Sequence, residues 1–175
     1  LGLALVHGIV SGCGGTVQVA SDPDEGTAFH VFLPVTGDPD GSGKTELNLE
    51  DLPRGSEHIL FVDDEDMVVT LYEDMMDFLG YEITATSSSE EAWELFAADP
   101  DRYDLVITDL TMPQLSGDEL ARKMLCLKPE TPIIMCTGYS RRLSLEEIRK
   151  IGIREYLAKP MILDQLALTI RSVLD

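Results

Sequence analysis

Positive charge is scarce in this 175-residue chain, which carries 13 lysines and arginines against 32 aspartates and glutamates, for a formal net charge of −19. A sequence-independent nucleic-acid interface needs a footprint of lysine and arginine, and electrostatic docking on an anionic membrane needs the same. The composition therefore argues against both classes of partner. The chain also lacks an uninterrupted apolar run near the ~20 residues of a membrane-spanning helix.

Cysteine and histidine are equally sparse, with three residues of each. No cysteine has a close cysteine or histidine partner in the sequence, whereas structural zinc sites use closely spaced pairs. The six residues are Cys13, Cys126, Cys136, His7, His30 and His58. We expect indifferent or buried thiols in a reducing compartment, and no metal cluster built from these side chains.

The sequence divides into three parts by composition and hydrophobic pattern. Residues 1–34 are predicted to form a helix and then a β-hairpin, with strands at 16–19 and 28–33. A segment this short cannot bury enough surface to fold alone, so we expect the end of a domain whose earlier part lies outside this chain. Residues 35–57 are predicted to be a mostly flexible linker, because the run 36–43 has almost no apolar residue, with Leu47, Leu49 and Leu52 as the candidate anchors.

Residues 58–175 are predicted to form a complete α/β domain, because apolar strand-like segments alternate with amphipathic helices. The predicted strands are 58–62, 81–85, 105–108, 133–136 and 155–158, and the predicted helices are 66–79, 88–98, 117–127, 144–151 and 163–174. This alternation predicts a parallel sheet covered by helices on both faces. Helical spacing assigns four residues of the first helix to the core, namely Val68, Leu71, Met75 and Leu79.

Carboxylates follow two of the predicted strands. The first strand runs into Asp63, Asp64, Glu65 and Asp66, and the third ends at Asp109. A solvated helix N-terminus accounts for the last two of the four acids. Asp63, Asp64 and Asp109 would share one crevice if the strands are neighbours, since ligands in open α/β sheets bind beyond the carboxyl ends of the strands. A hard cation such as Mg²⁺ relieves their repulsion and leaves room for a phosphoryl oxygen.

The fourth and fifth strands end in different chemistry at the same edge. Thr137 and Gly138 follow the fourth strand, and Lys159 and Pro160 follow the fifth. A lysine ammonium is a point charge that can meet a phosphoryl oxygen, and a hydroxyl adds a hydrogen bond. Each residue alone has an ordinary structural explanation, but acids, hydroxyl and lysine together predict a phosphoryl-transfer site.

In chain order, these motifs resemble the receiver domain of two-component response regulators over residues 58–175. The motifs are Val62-Asp63-Asp64-Glu65, Asp109-Leu110-Thr111-Met112-Pro113 with Gly117, Thr137-Gly138 and Lys159-Pro160. The resemblance implies a flavodoxin-like (βα)₅ fold with parallel sheet order 2-1-3-4-5. It also implies that Asp109 accepts a phosphoryl group from a phosphohistidine donor, which is a histidine kinase or a phosphotransfer domain.

The same resemblance implies the ligands of a metal ion and the events that follow phosphorylation. Mg²⁺ would be held by Asp63, Asp64, Asp109 and the backbone carbonyl of Thr111. A conformational switch is expected after phosphorylation, followed by self-catalysed loss of the phosphate.

Four further positions match family roles. Lys159 would contact the phosphoryl group, and Thr137 would bond to it and report its presence. Tyr156 matches the switch aromatic that turns inward after phosphorylation. Thr111 and Tyr139 match positions that tune the lifetime of the phosphate.

The first 34 residues resemble the end of a histidine-kinase ATP-binding domain, which is an α/β sandwich. The motifs are Leu1-Gly2-Leu3-Ala4, Gly14-Gly15-Thr16-Val17, Glu25-Gly26-Thr27 and Phe29-His30-Val31-Phe32-Leu33-Pro34. Gly2 would be a remnant of the last glycine box. The earlier glycine boxes, the asparagine box and the acceptor-histidine helix are missing, and His7 is not the acceptor histidine, so ATP binding and autophosphorylation are not expected. The resemblance implies a C-terminal fragment of a cytoplasmic hybrid sensor kinase whose anchor, if any, lies upstream.

Two other functions are weighed against this interpretation. A phosphatase of the haloacid-dehalogenase type also uses a strand-end aspartate, Mg²⁺, threonine and lysine, but its sites resemble Asp-x-Asp and here the second acid is replaced by Thr111. A receiver-like binding module that works without phosphorylation is the alternative that the sequence leaves open. Homodimerisation through the last two helices is also left open.

Overall fold

A computed structural model of the chain describes residues 6–7, 10–11, 14–22, 26–34, 49–138 and 150–175. The chain divides into two compact units, Leu1–Glu46 and Leu47–Asp175. In the first unit, strand β1 (Thr16–Asp22) pairs antiparallel with β2 (Gly26–Phe32). The predicted hairpin is present, and both strands reach closer to the turn than the sequence pattern indicated.

Five parallel strands form the sheet of the second unit. They are β3 (His58–Val62), β4 (Glu82–Thr86), β5 (Leu105–Asp109), β6 (Ile133–Thr137) and β7 (Glu155–Ala158). Their order across the sheet is β4-β3-β5-β6-β7. Within this unit the order is 2-1-3-4-5, which confirms the predicted topology.

Helices connect the strands and cover both faces of the sheet. They are α1 (Asp66–Phe78), α2 (Ser89–Ala98), α3 (Gly117–Leu127) and α4 (Leu163–Leu174), with short 3₁₀ helices at Leu49–Asp51 and Pro100–Arg102. These four helices begin and end within a residue of their predicted limits. The predicted helix at 144–151 lies outside the described residues except for its last two positions. None of the described helices is both long and apolar enough to cross a bilayer.

The core has two layers because successive strand residues point to opposite faces of the sheet. Ile59 and Phe61 of β3 join one cluster, which includes residues of α1 and α4. Leu60 and Val62 join the other, which includes residues of α2 and α3. Burial on both faces explains why the strands are continuously apolar instead of alternating.

The buried stripe of α1 differs from the predicted one. The buried residues are Val69, Tyr72 and Met76, with Leu79 directly after the helix. Of the predicted stripe only Leu79 is fully buried, Leu71 is 52% exposed, and Val68 and Met75 are partly buried. The prediction was wrong for Leu71, while Val68 and Met75 do pack against the core cluster. Helix α1 has apolar residues on two overlapping stripes, and periodicity alone cannot choose between them.

The last residues of the predicted linker contact the sheet unit. Leu52 is buried in the core cluster, and the Gly55 N–H donates to the Leu79 carbonyl at 3.2 Å. Arg171 of α4 places Nη1 2.5 Å from Glu57 Oε1, and its Nη2 pairs with Asp175. The packed structure therefore begins before residue 58.

Gly117 fixes the start of α3 against the end of β5. Its N–H donates to the Leu110 carbonyl at 3.0 Å. A Cβ atom at this position would lie 2.0 Å from the Asp109 carbonyl oxygen. Only glycine allows this approach, because the obstructing atom is backbone and cannot rotate away.

We expect Gly117→Ala to destabilise the sheet unit by about 1–3 kcal/mol, because the added methyl group must displace the Asp109 backbone. Gly138→Ala is the matched control, since no atom of the described residues lies within 4 Å of a Cβ built there. Urea unfolding followed by the fluorescence of Trp93, the single tryptophan, measures both. Equal unfolding midpoints for the two variants would contradict the steric argument.

The Glu57–Arg171 pair predicts a pH-dependent contribution to stability. The hydrogen bond from Arg171 lowers the pKa of Glu57 from its ordinary value of 4.5. A carboxyl group with a lowered folded-state pKa stabilises the fold above its unfolded pKa, and this contribution is lost as pH falls through the folded pKa. Glu57→Gln should cost about 0.5–1 kcal/mol at neutral pH.

Urea unfolding of Glu57→Gln and wild type at several pH values measures this contribution. The difference between the two should shrink as pH falls below 4.5. Glu94→Gln, which neutralises an exposed glutamate on α2, controls for the change in net charge. A difference that is the same at neutral and at acid pH would refute the assignment.

Candidate functional site

The carboxyl ends of four strands bring the predicted site residues to one edge of the sheet. Asp63 follows β3, Asp109 ends β5, Thr137 ends β6 and Lys159 follows β7. The register places Asp109 beside Cys136 and Thr137 beside Ala158. Residues far apart in the chain therefore become neighbours because the strands are parallel and in this order.

A lysine ammonium lies between two of the carboxylates. Lys159 Nζ is 2.5 Å from Asp63 Oδ2 and 2.8 Å from Asp109 Oδ1. Asp63 and Asp109 are both buried, and the Lys159 side chain is one-fifth exposed. Two buried carboxylates share one ammonium, so this group carries excess negative charge.

Backbone N–H groups hold the other oxygen of each carboxylate. The Glu65 N–H donates to Asp63 Oδ1 at 3.2 Å, and the Thr111 N–H donates to Asp109 Oδ2 at 2.8 Å. Asp63 Oδ2 has no partner with good hydrogen-bond angles among the described residues, although the ammonium is near. Since Coulomb attraction depends on distance and not on these angles, the ion pair is the contact that matters here.

Burial and the shared ammonium act on the pKa values in opposite ways. Burial raises the pKa of Asp63, and the lowering effect of Lys159 does not cancel it. Burial also opposes the charge of Lys159, but its bonds to Asp109 and Asp63 prevail and raise its pKa. The lysine is therefore a fixed positive charge, and Asp63 would gain from a further cation.

The donor chemistry of this edge fits a hard cation. Asp63 and Asp109 are buried carboxylates that share one ammonium, and carboxylate and carbonyl oxygens are the ligands that Mg²⁺ prefers. Asp64 is exposed. Across the described ranges, no three His, Cys, Asp or Glu side chains stand close enough to form a ready metal site. The set of Asp63, Asp64 and Asp109 remains a prediction.

The predicted switch residues lie on neighbouring strands. Thr137 is buried, and its carbonyl accepts a hydrogen bond from the Lys159 N–H at 2.9 Å. Tyr156 lies on β7, at the edge of the sheet, and is 41% exposed. Thr111 is exposed next to Asp109. Tyr139 and Gly2, for which roles were also predicted, lie outside the described residues.

Sequence reasoning missed one polar side chain close to this edge. Tyr72 of α1 is buried, and its hydroxyl bonds to the backbone of Met161, two residues after Lys159. A tyrosine among the apolar residues of an amphipathic helix was the available signal, because a buried hydroxyl usually has a partner. Tyr72 was not assigned to the core because the predicted stripe passed through Leu71 instead.

Comparison with known proteins identifies the sheet unit. The family model "Response regulator receiver domain" matches residues 59–171. Among solved structures, a response regulator receiver domain protein from Clostridium thermocellum has a TM-score of 0.63 at 30% identity, covering 67% of this chain and 94% of that one. The chemotaxis protein CheY4 of Vibrio cholerae has a TM-score of 0.61 at 26% identity, covering 69% and 100%.

Two curated relatives extend the comparison. The sensor kinase CckA of Brucella abortus is 28% identical over 182 aligned residues, which cover 100% of this chain and 19% of that protein. The response regulator SaeR of Staphylococcus epidermidis is 29% identical over 117 residues, covering 67% of this chain and 50% of that protein. This chain thus spans about a fifth of one relative and half of the other. Because the matches cover the unit in which Lys159 joins Asp63 to Asp109, the chain belongs to the response regulator receiver domain family, which serves two-component phosphorelay signalling.

Proposed function

We propose that Asp109 accepts a phosphoryl group from a phosphohistidine donor. The observation that carries the proposal is the position of Lys159 Nζ, 2.8 Å from an oxygen of Asp109 and 2.5 Å from Asp63. This places a fixed positive charge beside a carboxylate at the ligand-binding edge of a parallel sheet. A phosphoryl group arriving at Asp109 would meet that charge without further rearrangement of the strands.

The transfer is an in-line displacement at phosphorus. An oxygen of Asp109 forms a bond to phosphorus while the phosphorus–nitrogen bond of the donor breaks. The electron pair stays on the imidazole nitrogen, which is then protonated. Lys159 stabilises negative charge on the phosphoryl oxygens, and the Thr111 N–H keeps the Asp109 carboxylate oriented.

Mg²⁺ is the proposed cofactor. Asp63, Asp64, Asp109 and the backbone carbonyl of Thr111 would hold it. The ion supplies positive charge that neutralises the phosphoryl oxygens during transfer. The burial of Asp63 and Asp109 around a single ammonium supports this role, since the second buried carboxylate needs a further cation or a proton.

Phosphorylation is proposed to bias a conformational switch at β6 and β7. Thr137 would bond to the phosphoryl group, and Tyr156 would turn inward in response. The hydrogen bond from the Lys159 N–H to the Thr137 carbonyl connects the two strand ends. Tyr156 is partly exposed to solvent, so an inward turn of its ring would change its environment. Thr111 and Tyr139 are proposed to tune how fast water attacks phosphorus and releases inorganic phosphate.

The chain is proposed to be a cytoplasmic part of a hybrid sensor kinase, whose membrane anchor, if any, lies upstream. The similarity to the sensor kinase CckA extends over the whole chain, including the part before the receiver. On this proposal, residues 1–34 are the remnant of an ATP-binding domain, 35–57 are a linker and 58–175 are the receiver. The donor would be the phosphohistidine of a histidine kinase or of a phosphotransfer domain.

The acceptor is tested by intact mass after incubation with acetyl phosphate and Mg²⁺. Wild type should gain one phosphoryl group, and the gain should be lost in EDTA, because the cation offsets the charge that accumulates at the site. Asp109→Asn should gain none, because an amide oxygen does not form the acyl phosphate.

Asp77→Asn, which changes an exposed aspartate near the end of α1, should be labelled like wild type. Undiminished, base-labile phosphate on Asp109→Asn would overturn the assignment. Labelling that is insensitive to EDTA would overturn the role of Mg²⁺.

Lys159→Ala should lower the rate of phosphorylation about 100-fold or more, because it removes the preorganised charge that faces the phosphoryl group. The rate is measured by intact mass at saturating acetyl phosphate and Mg²⁺. Lys128→Ala, which removes a lysine paired with Asp101 outside the site, is the control. A Lys159→Ala rate within a few-fold of wild type would contradict the role of the ammonium.

A further inference from the structure

The Tyr72 hydroxyl satisfies both backbone polar groups of a single residue in the loop after β7. It accepts a hydrogen bond from the Met161 N–H at 3.0 Å and donates one to the Met161 carbonyl at 3.3 Å. The side chain is 4% exposed, and its ring centroid lies 5.4 Å from that of Phe61. Burial raises the pKa of Tyr72, so the hydroxyl keeps the proton that it donates.

Met161 lies two residues after Lys159, in the loop between β7 and α4. Pro160 has no N–H to donate. The Lys159 N–H donates to the Thr137 carbonyl at 2.9 Å, which fixes the start of the loop on β6. The Met161 Sδ lies 3.3 Å from the Cys136 Sγ in the core, where it fixes the side chain but not the backbone. Among the described residues, the Tyr72 hydroxyl therefore provides a side-chain contact that fixes the backbone on the C-terminal side of Lys159.

The same tyrosine belongs to the helix that follows the acidic residues. Helix α1 begins at Asp66, three positions after Asp63. Tyr72 thus connects the element that follows Asp63 to the loop that carries Lys159, and it holds this loop at Met161 while the bond to Thr137 holds it at Lys159. Displacement of either element would alter the distances from Lys159 Nζ to Asp63 and Asp109.

We propose that Tyr72 is a positioning residue, which holds the Lys159–Met161 loop so that the ammonium stays between Asp63 and Asp109. It touches neither the phosphoryl group nor the reacting oxygen. This inference rests on the proposed function, because the position of Lys159 matters for transfer only if Asp109 is the acceptor. Tyr72→Phe keeps the ring and its packing but leaves the Met161 N–H and carbonyl without their partner.

The experiment measures phosphorylation of the full chain by acetyl phosphate in Mg²⁺ over a range of donor concentrations. Tyr72→Phe should lower the maximal rate about threefold to tenfold, with little change in the half-saturating donor concentration. Tyr81→Phe is the matched control, because Tyr81 is also buried in this core cluster but its hydroxyl lies beside Arg171, away from the Lys159 loop. Its kinetics should equal those of wild type.

A double-mutant cycle separates positioning from general damage to the fold. In the Lys159→Ala background, Tyr72→Phe should change the slower rate by less than about twofold, because the group that it positions is gone. An equal loss in both backgrounds would overturn the inference, and so would a wild-type rate for Tyr72→Phe. A wild type that takes no phosphoryl group would overturn the proposed function and, with it, this inference.

Amide hydrogen exchange gives a second readout that does not depend on phosphorylation. The Met161 amide should exchange at least about tenfold faster in Tyr72→Phe than in wild type, while Tyr81→Phe leaves it unchanged. Unchanged protection of Met161 in Tyr72→Phe would overturn the inference, since the hydroxyl would then not be what holds the loop.

Discussion

The sharing of one lysine ammonium by two buried carboxylates is the constraint on which the rest of this sheet unit depends. Asp63 and Asp109 meet Lys159 only because β3 and β5 are neighbours and β7 lies two strands further along. Burying two carboxylates beside each other is costly unless positive charge accompanies them. The strand order, the approach of Gly117 to the Asp109 backbone and the loop after β7 all serve to keep that charge in place.

The incomplete balance of this charge is also what makes the site suited to a ligand. One ammonium cannot neutralise two carboxylates, and burial raises the pKa of Asp63 in spite of it. On the proposed function, a divalent cation would relieve this excess charge, and the cation would in turn attract the oxygens of a phosphoryl group. On the proposed function, the raised pKa of Asp63 therefore reflects a site that is completed by a bound cation.

The strands could be predicted from the sequence because burial on both faces gives continuous apolar runs, such as Leu105 to Thr108 before Asp109. Their order across the sheet was implied by the resemblance to receiver domains. Because the strands are parallel, their carboxyl ends meet at one edge of the sheet, and the polar residues that follow them could be assigned to that edge. The sequence could not predict which apolar residues of α1 are buried most fully. Its apolar residues occupy two overlapping stripes, and only contacts with β3 and the Lys159 loop decide that Tyr72 is buried while Leu71 is 52% exposed.

The position of Tyr72 shows that one side chain can belong both to the apolar core and to the support of the proposed site. Tyr72 occupies a position that leucine could fill if packing alone mattered, yet its hydroxyl satisfies the two backbone groups of Met161. Apolar packing fixes the distance between α1 and the sheet but does not fix a loop whose proline lacks an N–H. A directional bond from a buried side chain does, because breaking it leaves unpaired polar groups away from water. The position of Lys159 thus depends on polar contacts placed inside the apolar core, which hydrophobic periodicity alone does not reveal.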